Sequence, residues 1–475
     1  MDSNKSNKIV SSIEDALRKV GLKDGMTISF HHHLRNGDAV LNMVMESIET
    51  LGIKDIHLAA SGIFPCHEPL VKLMENQAVT TITTSTFNPG PVPTAISKGI
   101  LKNPVRLMSH GGRARAIEQN ELHIDIAFIA APCCDPAGNM NGTEGPSACG
   151  YLSYAYTDAQ YADKVVAITD HIVDYPACPI EIRETNVDYV VVVDSIGNPN
   201  GIVSGSTKIT SDPVRLKIAD ETAALIDELG FIKNGLSFQT GASSTSLAVA
   251  ERVKQRMQDK KVVGTFALGG IHSYLVRMLE DGQFKKLLDT QSFDLESVAS
   301  AKRNKLHMAL SASQYANPSS KSCAVNNLDV VILGATEIDE DFNVNVITGS
   351  NGIIMGAAGG HSDCAAGAKL SIVVSNLMKK DYCVVKKHVC TIATPGQSID
   401  AVVTEFGIAI NPLRKDLLAC LQNSKLNIVP ISYLRNLGEK MGAKEIVPET
   451  SDRIVGVVEY RDGTIIDNIY QIVDK

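Results

Sequence analysis

Residues 348–367 read T-G-S-N-G-I-I-M-G-A-A-G-G-H-S-D-C-A-A-G, a glycine-dense run directly after a strand-like apolar stretch. Glycines at Gly352, Gly356, Gly359 and Gly360 let peptide N–H groups turn toward an anion or a developing oxyanion. Two further stretches carry groups able to meet a carboxylate or a thioester. Three consecutive histidines, His31, His32 and His33, follow the strand-like T-I-S-F at 27–30. On an extended chain neighbouring side chains point apart, which is a poor geometry for one shared metal ion. Anion or thioester contact and plain packing are the readings that remain. The second stretch, S-H-G-G-R-A-R at 109–115, holds His110, Arg113 and Arg115. A guanidinium grips a carboxylate bidentately, so this is either an acid-binding turn or the solvated basic start of a helix.

Other candidates carry less. Glu144 sits in the glycine-proline loop N-G-T-E-G-P and is a candidate base or nucleophile. Asp135, Asp339 and Asp363 lie beside turn formers or open a helix, and are read as turn or capping residues. The sequence has no phosphate-binding G-x-x-x-x-G-K-[ST] loop and no G-x-S-x-G elbow. Ten cysteines are scattered without C-x-x-C or zinc spacing, and most are read as buried small hydrophobes in a reducing compartment.

The elements that must position these groups occur twice. L-A-A-S-G-I-F at 58–64 is echoed by A-L-G-G-I-H at 267–272, which contains Gly269 and Gly270; L-V-K-L-M-E at 70–75 returns as L-V-R-M-L-E at 275–280. T-S-T-F at 84–87 pairs with T-Q-S-F at 290–293, and I-D-I-A-F at 124–128 with L-D-V-V-I at 328–332. The spacing stays at roughly 204 to 210 residues in chain order, the mark of an internal duplication. Within each half, β-branched runs alternate with helical patterns: 53–60, 78–83, 124–131, 164–169 and 187–194, then 262–268, 328–334, 370–374 and 391–392. That order predicts an α/β fold of two tandem related domains with mostly parallel, helix-covered sheets. The expected divisions are an N-terminal helical segment at 1–24, a first domain at 25–210 and a second at 211–475. The second ends in an extension that turns at Asp462-Gly463 between apolar runs.

Composition narrows the partners. A formal charge of -8 argues against nucleic acid or an anionic membrane surface as the main partner. No apolar stretch approaches the roughly 20 residues that span a bilayer, and the polar start M-D-S-N-K-S-N-K has no signal core behind it, so a cytoplasmic location is expected.

Several stretches are specific enough to resemble one family. They are D-G-M-T-I-S-F-H-H-H at 24–33, S-H-G-G-R at 109–113, F-A-L-G-G-I at 266–271, L-D-T-Q-S-F at 288–293, S-Q-Y-A-N at 313–317, F-N-V-N-V-I-T-G-S-N-G at 342–352 and G-G-H-S-D at 359–363. Over most of the chain they resemble the citrate lyase alpha subunit, a citrate CoA-transferase within the CoA-transferase superfamily. The resemblance implies a CoA-transferase-like fold with an acyl thioester between its domains. It implies exchange of an acetyl thioester for citrate, on an acyl carrier protein whose prosthetic group resembles CoA, with acetyl-CoA as surrogate. A citryl-thioester lyase subunit and an oligomeric complex go with it; a metal or a cofactor bound by this subunit does not.

In the glutamate-dependent members of that superfamily the catalytic Glu precedes Asn-Gly. Here the tetrad is G-S-N-G, so Ser350 stands in its place, and His31 to His33 replace a Gly-Gly-Phe element. Both departures favour direct attack by a citrate carboxylate over an enzyme-bound glutamyl thioester. On that reading Ser350, Asn351, Gly352 and Gly356 form the acyl-transfer loop, with Asn351 orienting the thioester carbonyl. His31, His32, His110, Arg113 and His361 are candidates for the acid; Gly359, Gly360, Gly269 and Gly270 are candidates for the thioester or CoA arm. Citramalate in place of citrate, a glutamate-dependent transferase or hydrolase using Glu144, and a carrier-docking scaffold are the alternatives.

Overall fold

The computed structural model describes residues 7–203, 208–241, 243–321 and 323–473. It is built on two large sheets. The eight-stranded sheet of the second half runs His307–Ala309, Phe284–Ser292, Gly264–Ile271, Ser237–Thr240, Val330–Leu333, Leu370–Val374, Ala401–Thr404 and Gly407–Ile410, with only the last pair antiparallel. Both faces of its central strands are buried. Phe238, Val330, Ile332, Ile372 and Val403 face one core, where helices Pro213–Glu228 and Ser244–Asp259 pack, whereas Leu268, Val331, Val373 and Val402 face the other. A strand covered on both sides reads as a continuous apolar run, which is why residues 328–334 and 370–374 were legible as strands. The exception is 391–392, which lies in a loop; the strand of that unit is Ala401–Thr404.

The first half repeats this order. Outward on one side of Thr27–Phe30 lie Ile56–Ala60, Val79–Thr84 and Val105–Leu107, and on the other Ile126–Ala131, Lys164–Thr169, Tyr189–Val192 and the short Ile9–Val10. In each half the first strand is central and the chain leaves it in two directions, so each has its topological switch point there.

Two further pairings enlarge the first sheet to ten strands. Ile9–Val10 pairs in parallel with Tyr189–Val192, ahead of helix Ile13–Val20, so the N-terminal segment is strand and helix rather than helix alone. The hairpin expected around Asp462-Gly463 forms, with strands Thr450–Glu459 and Ile465–Ile472. It does not extend the second sheet. Its inner strand crosses to the first half and pairs in parallel with Val105–Leu107, Val458 opposite Leu107. The first sheet therefore draws strands from all three expected segments.

Buried Glu459 anchors that crossing, with an oxygen 2.8 Å from Arg106 and another 3.5 Å from Arg115. Elsewhere the halves meet closely: a Cβ on Gly111 would stand 2.1 Å from the Ala316 carbonyl oxygen, so only glycine fits there. No helix among the described residues is long and apolar enough to cross a membrane.

Candidate active site between the two halves

The carboxyl ends of the two central strands face each other across a cleft of about 330 Å³. His32, Arg35, His110 and Tyr154 line it from the first half, and Gln239, Gln291, Tyr315 and His361 from the second. Among the described residues the lining contains one arginine and three histidines, and no Asp, Glu, Lys, Ser or Cys. A cleft so composed favours an anionic ligand and holds no carboxylate or thiol of its own to take up an acyl group.

His32 sits in an aromatic stack, its ring 4.6 Å from Tyr154 and 5.8 Å from His110. Gln291 donates from its amide nitrogen to the His32 carbonyl at 2.9 Å, leaving its oxygen to accept from His32 Nε2 at 3.1 Å and from Arg35 at 3.1 Å. That assigns the His32 proton to Nε2, with Nδ1 accepting from the Ser61 hydroxyl at 2.7 Å. His361 likewise donates from Nε2 to the Gly334 carbonyl at 2.9 Å and accepts from Thr394 at 2.7 Å. Burial is the main cause that holds these rings neutral. His361 is lowered to about 4, His110 to about 3 with Arg113 and Arg35 adding to the effect, and His32 lies well below the usual range.

The cation of the cleft is thus Arg35. Burial lowers it to about 10, which leaves it charged at neutral pH. Its guanidinium lies between two rings, 5.0 Å from the Phe64 centroid and 5.1 Å from that of Phe293. Phe64 belongs to the first half and Phe293 to the second, so the fork is held by rings from both.

Of the candidates named from the sequence, His32, His110, His361, Gly270 and Gly360 line the cleft and the others do not. His31 turns into the first sheet, accepting from the Ala130 N–H at 2.9 Å and sharing a 2.5 Å contact with His33. Arg113 is neither an acid-binding group nor a solvated helix start. On helix His110–Glu118 it is buried, pairs bidentately with Asp158 at 2.8 and 3.0 Å and donates to the Ala59 carbonyl at 2.7 Å, so both of its terminal nitrogens are engaged away from the cleft.

The glycine run divides into two parts. Its first part folds back on itself, with Gly352 N–H bonded to the Gly349 carbonyl and Gly356 N–H to that of Ile347, both at 2.9 Å. These N–H groups are not available to an oxyanion. Ser350 points away from the cleft, donating to Glu337 at 2.5 Å and accepting from Lys386 at 2.9 Å, and Asn351 is exposed. Gly359 also has its N–H committed, to Ser85 at 2.9 Å, while its carbonyl accepts from the His110 N–H at 2.8 Å. The second part differs: Ala357, Ala358 and Gly360 line the cleft, and their N–H groups make no hydrogen bond among the described residues. Gly269 stands just outside the lining, beside the Gln239 amide.

Asp363, expected to be a turn or capping residue where its own helix opens, makes no cap to that helix and instead holds another. Fully buried, it accepts from the Ser109 hydroxyl and the Gly111 N–H, both at 2.8 Å, and so holds the helix turn that presents His110. Burial raises its carboxyl to about 6, against the pull of Arg461 from the C-terminal hairpin at 3.6 Å. Asp135 and Asp339 are turn residues as expected, each accepting neighbouring peptide N–H groups. Glu144 lies outside the cleft, paired with Lys302 at 2.6 Å. Arg35, Tyr154, Gln239 and Gln291 were not singled out from the sequence. Gln291 and Arg35 stand 256 positions apart, and only the facing of the two duplicated sheets brings them together.

Tandem, mostly parallel sheets with opposed switch points define a CoA-transferase-like protein. The alpha subunit of a malonate decarboxylase from Acinetobacter baumannii shares the fold, with a TM-score of 0.67 at 14% identity over 93% of this chain and 91% of that one. Residues 6–472 match the family described as citrate lyase, alpha subunit. The chain is 44% identical over 470 residues to the citrate lyase alpha chain of Haemophilus influenzae, covering 99% of this chain and 94% of that one. The alpha subunit of citrate lyase from Streptococcus mutans, solved in complex with citrate, superposes with a TM-score of 0.97 at 46% identity, over 100% of this chain and 92% of that one. The chain belongs to the citrate lyase alpha subunit family.

Proposed function

We propose that the chain is the citrate CoA-transferase component of a citrate lyase, converting an acetyl thioester and citrate into the citryl thioester and acetate. The observation that carries this is the composition of the cleft: a charged arginine among neutral histidines, with no carboxylate, serine or thiol in its lining. The carboxylate that attacks the thioester is then the substrate's own. One citrate carboxylate oxygen adds to the acetyl carbonyl carbon, the C–S bond breaks, and the thiolate leaves with the electron pair. The mixed anhydride that forms is opened at its citryl carbonyl by the same thiolate, and acetate departs.

In this reading Arg35 binds a citrate carboxylate, positioned by Gln291 and its two phenyl rings. The N–H groups of Ala357, Ala358 and Gly360 receive the oxyanions, each well-placed donor contributing about 3 kcal/mol. Holding carboxylate and thioester together supplies much of the remaining acceleration. No group in the cleft needs to change protonation state. The thioester belongs to an acyl carrier protein bearing a CoA-like group, and a partner lyase subunit cleaves the product; this subunit binds no cofactor of its own.

The test mixes the protein with acetyl-CoA and citrate, citramalate or malate, following acetate release and the identity of the thioester formed. Citryl-CoA is the expected product. Preference for citramalate would change the substrate assigned. A hydride-trappable glutamyl adduct that disappears on Glu144→Gln would establish the covalent alternative.

A further inference from the structure

Two buried polar atoms of residues that line the cleft have no partner among the described residues: His110 Nδ1 and Gln239 Oε1. Gln239 leaves strand Ser237–Thr240 at the second half's switch point and donates from its amide nitrogen to the Tyr315 hydroxyl at 2.9 Å. Tyr315 in turn is hydrogen-bonded to Cys364 at 2.7 Å, so the amide is pinned along one edge. Its other edge is the acceptor. Gly269, at φ +100°, makes room for this arrangement, since a Cβ there would stand 2.8 Å from the Gln239 amide nitrogen. A buried carbonyl oxygen without a donor costs about 1 to 3 kcal/mol, and one on a residue that lines a ligand cleft is a place for a ligand donor.

A citrate carboxylate has no proton to give at neutral pH; the acid's hydroxyl does. We propose that Gln239 is a specificity-determining residue whose Oε1 accepts a hydrogen bond from the tertiary hydroxyl of the acid, so that the site selects hydroxylated polycarboxylates over the same carbon skeleton lacking the hydroxyl. The inference rests on the function proposed above and adds which part of the acid is read, and by which atom. Arg35 contributes affinity for any carboxylate. Gln239 separates acids of equal charge, because only an acid that carries the hydroxyl gives the orphaned oxygen the donor it lacks.

The experiment compares citrate with tricarballylate, which carries the same three carboxylates and no hydroxyl, as acceptors for acetyl-CoA. The native protein is expected to favour citrate in kcat/KM by about 5- to 150-fold, the range one orphaned buried acceptor commands. Gln239→Met, of similar length and apolar, should bring that ratio to within about threefold, mainly by loss of citrate activity. A merely structural role would depress both acids together and keep the ratio. Equal use of both acids by the native protein, or a ratio unchanged in Gln239→Met, overturns the proposal while the transferase reading stands. Failure of the native protein to use any acid overturns both. The inhibition constant of tricarballylate against citrate turnover, set beside the KM for citrate, gives the binding part of that ratio without relying on a variant.

Discussion

Replacing Arg35 by glutamine gives the sharpest separation between a group that binds substrate and one that holds the fold. Arg35 is the cation of the cleft, and its fork is stacked between Phe64 and Phe293. A hydrogen bond to a charged group contributes about 1.5 to 3 kcal/mol, so Arg35→Gln should raise the KM for citrate about 10- to 150-fold. The KM for acetyl-CoA should move far less. Loss of the two ring contacts costs a further 1 to 2 kcal/mol or so in stability. Arg35→Lys keeps the charge but not the planar fork, and should fall between native and glutamine. The assay is steady-state acetate release at saturating acetyl-CoA with citrate varied, alongside thermal unfolding of each variant. The pH dependence adds an internal check. Only the charged guanidinium attracts the acid, and burial has lowered Arg35 to about 10, so citrate affinity is full below that value and declines as pH rises through it, well before an ordinary arginine would titrate. A folded Arg35→Gln protein whose KM for citrate stays within twofold of native would refute the assignment of the acid to this cleft.

Arg113→Met should behave in the opposite way: the variant leaves buried Asp158 without its partner and loses about 3 to 5 kcal/mol of stability in urea unfolding, with the KM for citrate in the surviving folded protein close to native. For Asp363, raised by burial to about 6 from 3.8, the folded state keeps a proton that the unfolded state has lost between those values. Its contribution to stability therefore falls as pH rises through that window, by about 3 kcal/mol in all, and is level above it. Asp363→Asn should flatten this part of the stability-versus-pH curve, and curves that run parallel would contradict the assignment. Arg461→Met combined with Asp363→Asn should cost less than the sum of the two single changes, since each alone leaves the other charge unpaired. Glu459→Ala, which leaves Arg106 and Arg115 without their buried partner, should speed limited proteolysis in residues 441–449 before the bulk of the protein unfolds.

The architecture was legible because the duplication repeats its apolar runs in register: the strands Lys164–Thr169 and Leu370–Val374 lie where the sequence places them. Residues 401–404 were missed because A-V-V-T follows a proline- and glycine-rich loop and is no more strand-like than the T-I pair at 391–392. For the site, spacing identified segments that border the cleft but not which of their members line it. His31 and His32 alternate across one extended segment, so one had to face the sheet and the other the cleft, and only the packing decides which. Arg113 and Arg35 are equally plausible as acid binders in sequence, but Asp158 on a neighbouring helix claims the first. Within the glycine run, which N–H groups are spent on the loop's own turns depends on its folded path, so the open donors at Ala357, Ala358 and Gly360 could not be told from the closed ones at Gly352 and Gly356.

The crossing of the C-terminal hairpin sets an order of events during synthesis. Val105–Leu107 emerges from the ribosome some 350 residues before the strand that pairs with its outer side, and until Thr450–Glu459 arrives the first sheet ends in an open parallel edge. Such an edge invites pairing with other chains, and a contact of that span is slow to form. The first half therefore reaches its final form only after the second has been made, and a nascent chain stalled anywhere in the second half carries a nearly finished first domain with an unprotected strand.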